Sequence, residues 1–279
     1  MTHAPLWLSN AKRSPSFVAG TTLVGFVAII ALVGVFWTPY DPLTVDSTQR
    51  FAGPSAIHIL GTDQLGRDVL SNMIEEARTT LLAGALATFI AIALGATLGV
   101  IAAASRKWID DIITAIATVF VAFPALLLAL VIVAARGPST STVVFTVGIA
   151  AGASVTVVTR GDAVDVLRSP YVQAARFAGG STSRIVSTHV LRNLLPSLSV
   201  QATSAASIAI VAESTLSYLG LGTTPPTPSW GRMLASTQQY LLVHPLLTLW
   251  PALFICLTVV GISLLGDGFR ERFDATLVR

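Results

Sequence analysis

Charge is what this sequence has least of. Asp, Glu, Lys and Arg make up 11% of its 279 residues, against 53% hydrophobic residues and a mean hydropathy of +0.75. So few polar groups cannot coat a soluble globule of this length, so lipid must be the solvent for much of the chain. Cysteine is nearly absent too. Cys256 stands alone, which excludes an internal disulfide, and its place in an apolar run predicts a buried neutral thiol. Lysine occurs twice, as Lys12 before Arg13 and Lys107 before Trp108. Neither precedes Ser or Thr behind a glycine loop, so the chain has no Walker A sequence and is not itself an ATPase. His3, His58, His189 and His244 are too scattered to suggest a metal site.

What is present is a set of six long uncharged runs: Arg13 to Asp41, Arg78 to Arg106, Asp111 to Arg136, Arg136 to Arg160, Arg192 to Glu213 and Arg232 to Asp267. A helix rising about 1.5 Å per residue needs about 20 apolar residues to cross a hydrocarbon core of about 30 Å, and each run is long enough. The runs are continuously apolar rather than alternating, which favours helices over a barrel. The expected fold class is therefore all-α, a polytopic membrane protein with spans near residues 17–37, 80–104, 112–135, 140–159, 196–217 and 245–266. The first span is read as a retained anchor because no small-x-small cleavage site follows Val35, Phe36 and Trp37. Pro124 should kink the third span. Gly95 and Gly99, and Gly148 and Gly152, have the small-xxx-small spacing that lets helices approach closely, within the subunit or at a dimer seam.

With the amino terminus in the cytoplasm, twelve of the 17 basic residues fall on cytoplasmic segments and five (Arg50, Arg67, Arg78, Arg136 and Arg232) outside. That is positive-inside topology, with both termini cytoplasmic. The net charge of +3 then needs no nucleic-acid partner, because anionic inner-leaflet lipid accounts for the basic residues. The expected layout is a cytoplasmic tail (1–16), the first span (17–37), an extracytoplasmic segment (38–79), a membrane domain (80–266) with a cytoplasmic loop (160–195) and an outer loop (218–244), and a cytoplasmic tail (267–279).

In the cytoplasmic loop, Ser169 suits a helix N-cap, Pro170 the first helical position and Gly179-Gly180 a left-handed stop, which predicts a nine-residue helix from Pro170 to Ala178. Tyr171, Ala174, Ala175 and Ala178 fall on one face by helical spacing. That face suits either a groove on a partner or the protein's own helix ends. In the outer segment, Asp63 and Asp68 serve as turn and cap residues or as cation ligands, and Val69, Leu70, Met73, Ile74 and Ala77 line one side of a helix entering the second span. Glu213 is the one acid inside an expected span. A carboxylate there is costly unless it faces water or a partner, which makes it a pathway or gate candidate, or else an interfacial acid. Glycines and prolines from Gly220 to Gly231 predict irregular chain shaping the outer mouth, where Tyr218 and Trp230 join Glu213 as pathway or gate candidates and Trp230 is also read as an interfacial anchor or a contact to a delivering protein.

Ala174-Ala175, Gly179 and the run from His189 through Arg192 to Pro196 resemble the EAA loop of importer permeases in the ATP-binding cassette superfamily. Three further blocks resemble the second, C-type permease of dipeptide and oligopeptide importers: Gly61 to Ser71, Glu213 to Leu234, and Leu264 to Arg270. Gln173 stands where the family usually has Glu, and Arg192 where the peptide branch often has Pro. The resemblance implies the type I importer architecture. It also implies a coupling helix that docks in an ATPase cleft, to which Tyr171, Gln173, Ala174, Ala175, Gly179, Arg184 and His189 are assigned.

Partners implied in the same way are a second permease subunit completing the pathway, two cytoplasmic ATP-binding subunits and an extracytoplasmic substrate-binding protein. No cofactor is expected on this chain, with ATP and Mg held by the partners. Di- or oligopeptides are the implied substrates, and nickel or glutathione an alternative within the same class. An ion-coupled secondary transporter would ordinarily place several ionisable or unwound sites at mid-membrane, where this chain offers only Glu213. A scaffold subunit without a pathway is a third reading.

Overall fold

The computed structural model describes residues 14–224 and 227–277. The expected N-terminal tail as far as Arg13, Pro225 and Pro226, and the terminal Arg279 lie outside the described residues. Among those described, the chain is helical with no strands. The helices are α1 (Pro15–Phe36), α2 (Val69–Ala104), α3 (Lys107–Ala122), α4 (Ala125–Arg136), α5 (Thr140–Arg168), α6 (Pro170–Phe177), α7 (Thr182–Tyr218), α8 (Trp230–Thr237) and α9 (Pro245–Leu277). Five of them, α1, α2, α5, α7 and α9, are long and apolar enough to cross a membrane, and α3 with α4 makes a sixth, broken crossing.

The third span is where expectation and structure differ most. Instead of a kinked helix over 112–135, α3 and α4 meet at 89°. Pro124 has no N–H to continue the ladder, and it drives Phe123 into extended backbone (φ −92°, ψ 132°). At 16 and 12 residues, α3 and α4 reach only about 24 and 18 Å. Neither crosses the hydrocarbon alone. The other crossings outrun their expected limits, because polar turns continue a helix after the lipid ends. Helix α2, with 36 residues, is about 54 Å long. Its turns before residue 80 therefore project beyond a 30 Å core.

The centre of the bundle is the pairing of α2 with α5, which run parallel. A methyl added at Gly95 would stand 2.7 Å from the Gly152 carbonyl oxygen, and one at Gly99 would stand 2.8 Å from that of Thr156. At Gly148 it would meet Ile90 Cβ at 2.8 Å, and at Gly152 the Ala91 carbonyl at 3.3 Å. All four glycines thus serve packing inside this chain. Ala83, Ala87 and Ala91 of α2, Val143, Val144 and Val147 of α5, and Ala205, Ala209 and Ala212 of α7 fill the layers around them.

A second cluster joins α1, α2, α8 and α9 through Val27, Val69, Met73, Trp230 and Leu247. Trp230 is wholly buried here, and its indole N–H donates to the Met73 carbonyl at 3.1 Å. This corrects the expectation of an interfacial anchor or partner contact: Ser229 caps α8 and turns the ring inward, where Phe254 meets it edge-on. Cys256 also departs from expectation. It is exposed on the outer surface of α9 rather than buried, since α9 packs on α1 and α7 through other faces. Phe26, Ile29, Leu32 and Phe36 leave α1 with a broad apolar outer face, as lipid solvation allows.

Gly95→Leu should cost about 3 kcal/mol or more through overpacking against backbone. It should lower the melting temperature of the detergent-purified protein by several degrees, whereas Gly25→Leu, with nothing within 4 Å of the added group, should leave it unchanged. Trp230→Phe, which keeps the ring but leaves the Met73 carbonyl without its donor, should cost about 1 kcal/mol, and Trp230→Ala about 3–5 kcal/mol. Thermal unfolding of the purified variants measures all four.

Candidate functional sites at the two ends of the bundle

At one end, α6 bridges α5 and α7. Ser169 leaves α5 in extended backbone, and its hydroxyl donates to the Val166 carbonyl at 2.6 Å rather than capping α6. Pro170 occupies the first turn. The helix has eight residues, one fewer than expected, because Ala178 already serves as C-cap. Gly179 lies at φ +84°, with its N–H on the Arg176 carbonyl and that of Gly180 on the Ala175 carbonyl, both at 3.0 Å. This is a Schellman stop, which needs a residue free to adopt the left-handed region.

Val172 is fully buried and Ala175 half-buried against Ala163, Leu167, Ile185, Val190 and Leu194. The side chain of Gln173 also turns back, donating to the Leu167 carbonyl at 3.1 Å. Tyr171 accepts from Asn193 Nδ2 at 3.1 Å and sits edge-on to His189, with centroids 5.8 Å apart. Arg184 is exposed one turn into α7, just before a π-helical segment over Val186–Val190. The outward stripe is Tyr171, Ala174, Phe177 and Ala178. Phe177 is 91% exposed. Sequence reading missed it and placed Ala175 outward instead. The available signal was the pairing of Val172 with Ala175, which had apolar partners in Leu167 and Val190 while Phe177 had none.

Arg160 and Asp110 tie α5 to α3. The guanidinium engages both carboxylate oxygens, with Nη2 2.6 Å from Oδ2, and Thr114 donates to the same carboxylate at 3.2 Å. Arg160 thus lies within α5 instead of opening a loop, and the pair fixes α3 beside the close-packed centre.

At the opposite end, residues 38–68 fold over α2. Asp63 accepts the N–H groups of Leu65 and Arg67 at 2.8 and 2.9 Å and pairs with the Arg67 guanidinium. Asp68 caps α2 through the Ser71 N–H at 2.8 Å, and its other oxygen lies 2.9 Å from His58 Nδ1. Both acids therefore act as turn and cap residues. Asp46 caps a short turn at Ser47–Gln49, and the Thr48 hydroxyl and N–H hold its carboxyl below the usual range. Among the described residues no group of three or more His, Cys, Asp or Glu side chains could hold a metal ion.

A cavity of about 1280 Å³ opens at this end, bounded by α2, α5, α8 and the outer segment. Aliphatic and aromatic side chains such as Leu82, Leu86 and Phe145 share its wall with Glu75, Glu76, Arg78 and Arg232. Glu213 is not in that wall. It is 2% exposed and held by Ser217 Oγ at 2.7 Å and Ser214 Oγ at 3.5 Å, so the pathway candidate lies behind the cavity lining. Tyr218 donates its hydroxyl to Gln238 and ties α7 to the turn after α8. Among the acids that do line the cavity is Glu76, buried on the face of α2 that carries Val69, Met73 and Thr80. Helical spacing from Val69 and Met73 was the signal for it, but the sequence reading followed only the apolar members of that face.

Residues 95–279 match the family described as the binding-protein-dependent transport system inner membrane component. Full-length relatives extend the similarity toward the amino terminus. The dipeptide transport system permease protein of Alkalihalophilus pseudofirmus is 33% identical over 263 residues, covering 94% of this chain and 86% of the relative. The probable D,D-dipeptide transport system permease protein of Escherichia coli is 34% identical over 263 residues (94% and 88%). The glutathione transport system permease protein of Pectobacterium atrosepticum is 34% identical over 272 residues (97% and 90%). A bundle of apolar helices with a bridging helix at one end and a cavity of mixed lining at the other, matched over about two thirds of its length by that family model, is a multi-pass member of the binding-protein-dependent transport system inner membrane component family.

Proposed function

We propose that this chain is one of two permease subunits of an ATP-driven importer of di- or oligopeptides. A different permease completes the pathway, two cytoplasmic subunits bind ATP and Mg, and an extracytoplasmic binding protein delivers substrate to the cavity end. The observation that carries the proposal is α6: a short helix closed by a Schellman stop and seated on the ends of α5 and α7, with Phe177 91% exposed. An aromatic left in water on so rigid a mount suits insertion into a partner's cleft. Its extended entry at Ser169 and glycine exit at Gly179 join it directly to α5 and α7, so displacement of α6 passes to both as rigid bodies. Helix α7, with 37 residues, carries that displacement about 55 Å toward the cavity end.

In this reading α6 and both termini face the cytoplasm, with twelve of 17 basic residues on that side, and residues 38–79 and the loop after α7 face outward. Tyr171, Ala174 and Ala178 complete the docking stripe. Gln173, Ala175 and His189 hold its seat, Gly179 its exit, and Arg184 flanks it as a charged rim. Peptides are the proposed cargo because relatives over nearly the full chain are permeases of dipeptide transport systems. Glutathione, the cargo named for another relative, is a second reading and is itself a peptide. An ion-coupled carrier has no support in Glu213, which is sealed by serines.

Phe177→Asp should reduce ATP-driven dipeptide uptake by the reconstituted complex at least tenfold while the amount of inserted protein stays constant. Unchanged uptake would refute docking through α6. For the topology, Cys256→Ser provides a background in which Ser47→Cys should react with an impermeant maleimide in intact cells and Ser183→Cys only after permeabilisation. The reverse pattern would invert the assigned orientation.

A further inference from the structure

The cavity at the end of the bundle opposite α6 holds two ionisable groups whose bonding capacity is unused. Oε2 of Glu76 is buried without a hydrogen-bond partner, in a residue only 6% exposed. Nη1 of Arg232, on α8, is likewise buried and without a partner. Both residues line the cavity, and they form no ion pair with each other. The neighbouring charges form no ion pair with them: Arg67 is committed to Asp63, and Glu75 and Arg78, which share the wall, pair with neither. A buried polar group left without a partner is costly, so an atom with unused bonding capacity in a residue lining a cavity is one that a ligand can satisfy.

The ligand this wall fits carries one positive and one negative end on a short body. A cavity of about 1280 Å³ has room for a peptide of a few residues. Leu82, Leu86 and Phe145 offer side chains an apolar surface on part of the wall. The unpaired charge partners thus suit the ends of the ligand, and the side chains between meet this apolar stretch.

We infer that Glu76 and Arg232 form a transit site for zwitterionic peptides, Glu76 receiving the terminal ammonium and Arg232 the terminal carboxylate. The inference rests on the peptide-importer reading above and gives that cargo a specific hold within this subunit. It also separates two tasks. The binding protein selects, and the transit site keeps the released peptide from returning to it while the pathway reorganises.

The test uses the complete transporter in liposomes, with its ATPase subunits and binding protein, and L-alanyl-L-alanine as the probe. Glu76→Gln and Arg232→Gln should each lower the peptide moved per ATP hydrolysed about tenfold, the loss of one charge-assisted hydrogen bond. ATP hydrolysis stimulated by the loaded binding protein should stay within about twofold of the unsubstituted complex. Glu76→Asp and Arg232→Lys should retain most of the transport. If the unsubstituted complex moves no dipeptide, the peptide reading itself fails. If it does and the Gln variants match it, the transit site is wrong. If the variants instead lose the second permease on purification, the two side chains are interface residues and the inference is overturned.

Discussion

The structure depends on how closely α2 and α5 approach. From Gly148 beside Ile90 to Gly99 beside Thr159, four glycines bring the two helices so close that a methyl added at any of them would come within 3.3 Å of the facing helix. In lipid there is no hydrophobic drive to bring apolar helices together, since the hydrocarbon is as apolar as they are; dispersion across a tight interface supplies the attraction instead. That attraction falls off within an ångström, so the pair is either closed or apart. The rest of the fold is assembled on this closed pair: α7 adds a third layer through Ala205, Ala209 and Ala212, and Arg160 reaches from α5 to hold α3.

Each end of that pair is built to a different rule. Where α5 gives way to α6, the chain is short of apolar cover, and Val172, Ala175 and Leu194 pack while Phe177 is left outside. At the other end the problem is polar. The amino-terminal turns of α2 carry Asn72, Glu76 and Thr80 into buried positions. They are tolerable because a cavity and the folded segment 38–68 pack against them in place of lipid. Trp230 plugs the apolar side of that region, so the polar groups are displaced toward the cavity. Burial of Trp230 and the placing of Glu76 against the cavity are thus two consequences of one packing arrangement.

Apolar runs and caps made much of this legible in the sequence. The five long crossings, the Schellman stop at Gly179, the small-residue stripes and the capping roles of Asp63 and Asp68 follow from residue type and spacing alone. The misses share a cause. Hydropathy measures how apolar a window is and carries no direction, so Pro124 marked the place of a break but not its 89° bend. The burial of Trp230, the exposure of Cys256 and the inward turn of Ala175 depend on which neighbour each helix face meets, and that is decided by tertiary contacts. Glu76 was passed over for a related reason. A span defined as charge-free begins after it, so the acid inside the apolar window, Glu213, drew attention. The structure gives Glu213 its serines and leaves Glu76 an open oxygen.

The distribution of buried residues also says where a transport cycle can and cannot bend this subunit. The α2–α5 pair has no side-chain volume to rearrange, so it moves as one piece. Helices α3 and α4 are different: Ala117, Ala129 and Val133 are their only buried residues, and they meet at an angle with no shared hydrogen bond across Phe123 and Pro124. Their one strong polar tie to α5 is Arg160 with Asp110, at the end nearer α6. A push on α6 therefore reaches α3 through that ion pair, while α4, packed mainly on α5 through Ala129 and Val133, is held to a separate lever arm. The proline break lets the two halves of this crossing change angle without unfolding either helix. Motion that a continuous third span would have resisted is concentrated there, beside a core that stays fixed.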